Sequence, residues 1–125
     1  MVTTEIAQLS KECNAWRETL RSYKEEFGKL KQQLLGIAGT QSHKEDLVQV
    51  DHLDNQIHIQ LINIHDLKQS IKVHDRKIQQ ELSSPRGRLS DETVSRHEIL
   101  HDGYQFLEHT LQEVKDEFKH FTART

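Results

Sequence analysis

Apolar residues recur along the first third of the chain at steps that alternate between three and four residues without a break. Their positions are Ile6, Leu9, Cys13, Trp16, Leu20, Tyr23, Phe27, Leu30, Leu34 and Ile37. Nearly every residue between them is polar or charged. This spacing is the a/d pattern of a heptad repeat, so it predicts one long helix over about residues 4–37, with a single buried stripe (its heptad seam).

A second periodic stretch follows a glycine-containing connection and begins near Ser42 and Glu45, whose spacing is that of a capping box. Branched residues occupy every seventh position, namely Val50, Ile57, Ile64, Ile71 and Ile78, and the positions between them are Leu53, Gln60, Leu67 and His74. The pattern predicts a helix over about residues 43–82 whose seam is interrupted by two polar residues. Counting along the helices aligns Gln60 with Tyr23, which predicts a hydrogen bond between them inside the core.

The third stretch starts after Pro85 and Gly87, since both residues break a helix. Ser90 is the predicted N-cap, and Leu89 and Val94 have the spacing of a hydrophobic staple. The seam that follows is His97, Leu100, Tyr104, Leu107, Leu111, Val114, Phe118 and Phe121. It predicts a helix over about residues 91–122.

Three long helices with short connections favour an all-α, antiparallel, up-down-up three-helix bundle with coiled-coil-like heptad seams, in one domain that covers residues 1–125. Each helix would be on the order of 50 Å long at 1.5 Å per residue. The layout resembles that of a spectrin repeat; the likeness is one of layout and not of individual residues. Because the seams are narrow, the bundle is a candidate for completion by homo-oligomerisation.

Net charge, cysteine content and hydropathy indicate which kinds of partner and which cellular setting to expect. The net charge is −3, which disfavours a nucleic-acid or anionic-membrane binder, because such proteins need a concentrated basic face. Cys13 is the single cysteine, so no intrachain disulfide can form and a reducing, cytoplasmic setting is expected. No stretch approaches the roughly 18 consecutive apolar residues needed to span a bilayer.

The segment RHEILHDGY contains H-E-x-x-H, the zinc signature of many metallopeptidases. In that interpretation His97 and His101 bind zinc and Glu98 is the general base. However, Asp102 and Gly103 follow the motif where such enzymes tend to have uncharged residues, and no segment is predicted to form a substrate-holding strand. A zinc-dependent hydrolase is therefore a weaker alternative, and we expect a protein that is not an enzyme.

A different metal site is predicted inside the bundle. His74 and His97 lie at similar distances from the turn near Pro85, so an antiparallel arrangement brings them to the same height. The same counting brings the segment from Glu5 to Cys13 to that level. The predicted ligands of a zinc or iron ion are His74, His97, His101, Glu12 and Cys13. The alternative for the same residues is a buried polar layer that fixes helix register without a ligand, or that responds to pH.

The second helix also carries apolar residues away from its seam, namely Ile59, Ile62 and Val73. They predict contact with a second protomer or with another helical protein. The leading hypothesis from the sequence is thus a non-enzymatic bundle without a cofactor that acts through protein–protein contact. A metal-binding bundle is the alternative.

Overall fold

Three α-helices make up the computed structural model: α1 is Val2–Ala38, α2 is Lys44–Ser83 and α3 is Asp91–Arg124. It describes the backbone of residues 2–40 and 43–124, and the side chains of those from residue 7 onward. No residue in these ranges belongs to a strand, so the predicted all-helical fold of three helices is confirmed. Each helix end lies within two residues of its predicted position.

One core runs between the three helices and is built from the predicted apolar stripes. Its buried apolar residues are Cys13, Trp16, Leu20, Phe27, Leu34, Val50, Leu53, Ile57, Ile64, Ile71, Ile78, Tyr104, Leu107, Leu111, Val114, Phe118 and Phe121. Full burial of a Leu, Ile or Phe side chain contributes about 1.5–3 kcal/mol, so these residues supply most of the favourable free energy of folding. None of the described helices is both long enough and apolar enough to cross a membrane.

Side-chain contacts fix how α2 and α3 meet. Near the start of α2, His52 Nε2 lies 2.8 Å from Glu117 Oε1 on α3. Near its end, the Glu81 Oε1 atom accepts a hydrogen bond from the Ser90 N–H at 2.6 Å. Residue numbers of the contact partners therefore rise along α3 as they fall along α2, and this places His74 level with the first turns of α3.

The connection between α2 and α3 turns sharply at Gly87. Its φ of 58° lies in the left-handed region, where residues with a Cβ are strained, and its N–H donates to the Ser84 carbonyl at 3.0 Å. The Ser84 hydroxyl in turn donates to the Glu81 carbonyl at 2.7 Å, which occupies one of the acceptors exposed at the end of α2. The predicted break near Pro85 and Gly87 thus has a local hydrogen-bonded cause.

The two predicted helix caps have different outcomes. Ser90 accepts the Thr93 N–H through its hydroxyl at 3.2 Å, as predicted for the N-cap of α3. The N-cap of α2 is His43, one residue later than predicted, and it makes no side-chain capping hydrogen bond. The predicted capping box required Ser42, which lies outside the described residues.

The prediction of a Gln60–Tyr23 hydrogen bond is wrong. Gln60 is buried, but its Oε1 atom accepts from Asn63 Nδ2 at 3.3 Å, one turn along the same helix. Burial and the nearby Glu108 carboxylate raise the pKa of Tyr23. Gln60 has its partner on its own helix, which counting along the helices does not reveal.

Glu81 ties the end of α2 to the start of α3. Its carboxylate accepts from the Ser90 N–H, from the Ser90 hydroxyl at 3.3 Å and from the Thr93 hydroxyl at 2.5 Å. Partial burial raises the pKa of Glu81, but the hydrogen bonds from Thr93 and Ser90 outweigh burial, so the pKa lies below its usual value. The charge also lies beside the N-terminus of α3, where a negative charge is favourable.

We expect Glu81→Gln to lower the free energy of unfolding by about 1–2 kcal/mol, because hydrogen bonds to a charged acceptor are among the stronger ones. Urea denaturation at neutral pH measures the change. The control is Glu18→Gln on the exposed side of α1, where the carboxylate is 69% exposed and a change below about 0.5 kcal/mol is expected.

The Glu81 effect should also depend on pH. A carboxyl group whose pKa is lowered by folding stabilises the protein above its unfolded pKa, and that stability is lost as pH falls through the folded pKa. The difference between wild type and Glu81→Gln should therefore shrink below about pH 4. A difference that stays constant into acid would show that the charge is not responsible.

Candidate metal centre

Each helix contributes one potential metal ligand to a buried cluster. Cys13 on α1, His74 on α2 and His97 on α3 are 0%, 1% and 5% exposed. One ligand atom from each lies within 4.8 Å of the other two. All three occupy predicted seam positions, which explains why three different helices present them to one point. We call these three residues the Cys-His-His cluster.

The two histidines of the cluster touch each other. His74 Nε2 lies 3.0 Å from His97 Nδ1, and the ring centroids are 5.1 Å apart. At that distance one neutral ring donates a hydrogen bond to the other. The outer nitrogens, His74 Nδ1 and His97 Nε2, are buried with no hydrogen-bond partner in the described part of the chain. A buried polar atom without a partner costs about 1–3 kcal/mol, so the cluster as it stands is not a satisfied polar layer.

Glu12 lies on the far side of His97 from the cluster. Its Oε2 atom is 3.6 Å from His97 Nε2, just beyond hydrogen-bond distance, and its side chain is 32% exposed. Histidines that bind metals commonly direct their second nitrogen at a carboxylate, which fixes the tautomer and the ring orientation. Glu12 was predicted to be one of the ligands. In the structure it lies beside the outer nitrogen of His97 and is not part of the Cys-His-His cluster.

Aromatic rings close the cluster on the α1–α3 side. The Trp16 ring stacks on His97 with centroids 4.8 Å apart, and it also contacts Tyr104 at 5.7 Å and His101 at 5.6 Å. The Tyr104 hydroxyl donates to Glu108 and not to a histidine. The rings exclude water from one side of the cluster, which strengthens any electrostatic interaction within it.

All three residues of the Cys-His-His cluster are held in their neutral forms. Burial raises the pKa of the Cys13 thiol to about 12, with a further contribution from the nearby Asp75 carboxylate. Burial lowers the pKa of His74, and the neighbouring His97 adds to this effect. Burial also lowers the pKa of His97, although Glu12 opposes the change. The histidines therefore present unprotonated nitrogens at neutral pH, and the thiol would lose its proton on binding a metal.

The two histidines of the H-E-x-x-H motif lie in different surroundings. His97 belongs to the cluster, whereas His101 lies beside Trp16 and outside the group of ligand atoms. Glu98 is exposed. The partner of His97 is thus a histidine from another helix and not the histidine four residues later. His52, His58, His65, His109 and His120 are exposed, as their positions away from the seams predicted.

Sequence reasoning identified the members of the cluster but missed features beside the cluster and on α3. It gave no role to Trp16 beyond packing, and it overlooked Ile99 and Phe106, which are 70% and 75% exposed. These two apolar residues lie seven positions apart on α3, a spacing that marks a second apolar line outside the seam.

No family model matches the chain, and no curated protein or solved structure matches it either.

Proposed function

We propose that this chain is a metal-binding helical bundle in which Cys13, His74 and His97 hold one zinc ion. The observation that carries the proposal is the convergence of three buried ligand atoms from three helices within 4.8 Å. The facing nitrogens His74 Nε2 and His97 Nδ1, 3.0 Å apart, support it, because two neutral imidazoles at that separation can direct their lone pairs at one ion. The adjacent Glu12 supports it as well, since a carboxylate behind a metal-binding histidine is a recurrent arrangement.

Zinc fits this ligand set better than iron does. One thiolate and two imidazoles are typical zinc ligands, and no carboxylate belongs to the cluster, unlike the iron sites of helical bundles. Two nitrogens bound to a tetrahedral zinc at about 2.0 Å would lie about 3.3 Å apart. The observed His74–His97 separation of 3.0 Å is close to that value. Copper also uses two histidines and a cysteine, so copper belongs among the metals to be measured.

The proposed role of the ion is to hold the three helices together. The contact pairs support an up-down-up arrangement: Trp16 lies beside Tyr104, and Glu26 pairs with Lys115, so residue numbers rise together along α1 and α3. The buried seam positions support coiled-coil-like packing. Three protein ligands leave one position of a tetrahedral ion for water. We assign no hydrolytic role, because His101 and Glu98, the other residues of the H-E-x-x-H motif, lie outside the group of ligand atoms.

Elemental analysis of untagged protein, purified without chelator, tests the proposal. We expect about one zinc per chain in the wild type, and loss of that zinc in His74→Ala, His97→Ala and Cys13→Ala, because two remaining ligands hold zinc weakly. The controls are His58→Ala, which removes an exposed histidine, and His101→Ala, which tests the peptidase motif. Both should retain the metal.

Other results of the elemental analysis would point to a different site, a different metal or no metal site. Metal that is lost in His101→Ala but kept in Cys13→Ala would favour the H-E-x-x-H site and contradict the Cys-His-His cluster. Copper or iron at about one ion per chain would support the proposed site but replace zinc as its metal. Protein without metal that also fails to take up added zinc would leave the cluster as a buried polar layer.

A second candidate function is protein–protein contact, either with itself or with another helical protein. It is favoured by Ile59, Ile62 and Val73, which are 44%, 48% and 63% exposed on α2. Both functions fit a reducing, cytoplasmic setting, in which the Cys13 thiol stays available as a ligand. Neither requires a nucleic acid or a membrane as partner.

A further inference from the structure

Five exposed apolar side chains lie along the outer side of α2 and α3. Ile59, Ile62 and Val73 belong to α2, and Ile99 and Phe106 belong to α3. We call these five residues the apolar flank. They are independent of the Cys-His-His cluster, since each is at least 44% exposed whereas the cluster is buried.

The helices place all five residues on the same side of the molecule. A cleft between α2 and α3 is lined by Val73 and by Arg96, among others. Ile99 follows Arg96 by three residues and Phe106 follows Ile99 by seven, so all three share one side of α3. On α2, Ile62 and Ile59 precede Val73 by about three and four helical turns and share its side.

Contacts between α2 and α3 also show where the five residues of the apolar flank lie along the length of the bundle. His74 lies level with His97, so Val73 is close to the level of Ile99. Phe106 then falls at a level between Val73 and Ile62. The apolar flank is therefore a continuous strip about 20 Å long at 1.5 Å of helix rise per residue.

The two ends of the strip carry opposite charge. Lys77, Glu92 and Arg96 line the cleft at the Val73 end, and the Lys77 ammonium already lies 3.9 Å from Glu81 Oε2, so Arg96 is the cation of this end that can meet a partner. Glu113 continues the line of Ile99 and Phe106 at the other end, because it follows Phe106 by seven residues.

The acidic end is extended by Glu117, which lies one turn beyond Glu113 and contacts His52 on α2. The midpoint between Arg96 and Glu113 falls within two residues of Phe106. A strip that is positive at one end, negative at the other and apolar between them is complementary to a copy of itself in the reversed direction.

We propose that the apolar flank is the interface of a two-fold homodimer, in which α2 and α3 of one copy lie antiparallel to the same helices of a second copy. Phe106 of each copy packs close to the two-fold axis, and Arg96 of each copy faces Glu113 of the other. This inference goes beyond metal binding, and it names the partner for the contact function proposed above, on which it rests.

Two sets of like charges oppose this arrangement. Glu92 of one copy would lie near Glu117 of the other, because these two positions have the same midpoint as Arg96 and Glu113. Asp66 lies on the same side of α2 as Val73, which it precedes by seven residues, and its level is close to that of Phe106. Two Asp66 carboxylates would therefore approach each other near the two-fold axis and repel. Asp66→Asn should consequently tighten the dimer, a result that an unrelated partner surface would not give.

Sedimentation equilibrium of the full chain, run separately with chelator and with zinc, tests the homodimer. We expect a mass of twice 14.7 kDa at micromolar concentrations under both conditions. Phe106→Ser should raise the dimer dissociation constant by roughly thirtyfold or more, as expected of an aromatic residue at the centre of an interface. Leu35→Ser is the matched control, because Leu35 is 56% exposed on α1, away from the strip.

Charge reversal gives a test that loss of folding cannot imitate. Arg96→Glu and Glu113→Arg should each weaken the dimer by about tenfold, because each places like charges opposite each other twice. The double variant, and an equimolar mixture of the two single variants, should recover dimerisation because both charge pairs are restored. Recovery in neither case would overturn the proposed orientation.

The remaining outcomes separate this inference from the other two proposals. A monomer at all concentrations, whether or not the protein contains zinc, would overturn the homodimer and leave metal binding intact. A dimer that forms only with zinc and is lost in His97→Ala would mean that metal joins the copies, which also overturns the proposed interface. A dimer that is unaffected by Phe106→Ser would retain self-association and place it elsewhere on the surface.

Discussion

Saturating zinc is expected to raise the free energy of unfolding of the wild-type chain by about 4 kcal/mol when free zinc exceeds its dissociation constant about a thousandfold. The reason is linkage: the Cys-His-His cluster exists only when the three helices are packed, so an ion bound there stabilises the folded state. Urea denaturation in chelator and in buffered zinc measures the increment. Cys13→Ala and His97→Ala should each show an increment close to zero.

The comparison must use the zinc increment and not the absolute stability. Removal of the His97 ring leaves a cavity beside Trp16, so this variant is expected to be less stable than wild type even in chelator. His58→Ala is the control for non-specific binding, because His58 is exposed and should keep the full increment. An increment that survives in both Cys13→Ala and His97→Ala would assign the zinc effect to surface histidines and contradict the cluster.

The same measurement separates the metal site from a buried polar layer. A layer that only fixes register would give no zinc increment in any variant, and it would be expected to tolerate apolar residues in place of both histidines. A metal site would lose its increment in that double replacement.

Much of the fold could be predicted because each helix repeats one simple pattern many times. The unbroken three-four spacing from Ile6 to Ile37 admits one amphipathic helix, and Pro85 with Gly87 marks the second connection. The start of α2 was predicted from a capping box at Ser42, which lies outside the described residues. The N-cap there is His43.

The site could be predicted in part, for a related reason. Seam positions fix which side of a helix a residue occupies, and counting from the turns fixes its height, so the meeting of His74, His97 and Cys13 followed from the sequence. Side-chain direction does not follow from counting. That is why Glu12 was grouped with the ligands although it lies behind His97, and why Gln60 was assigned the wrong partner.

Leu34→Ala should lower the free energy of unfolding by about 2–5 kcal/mol, the range for removal of a buried leucine side chain. Leu34 is 1% exposed and belongs to the core between the helices. Its neighbour Leu35 is 56% exposed, so Leu35→Ala should change the stability by less than about 0.5 kcal/mol. The two substitutions are chemically identical and adjacent on α1, so helix propensity cancels in the comparison.

Chemical denaturation of the two variants in chelator measures this difference without a contribution from metal. The heptad pattern assigns Leu34 to the seam and leaves Leu35 outside it, so the pair tests the register of α1 directly. Equal losses would mean that both leucines are buried in solution, for example because α1 is covered by another chain. A larger loss at Leu35 would contradict the packing of α1, and with it the position of Cys13, because a rotation of α1 that buried Leu35 would also carry Cys13 away from His74 and His97.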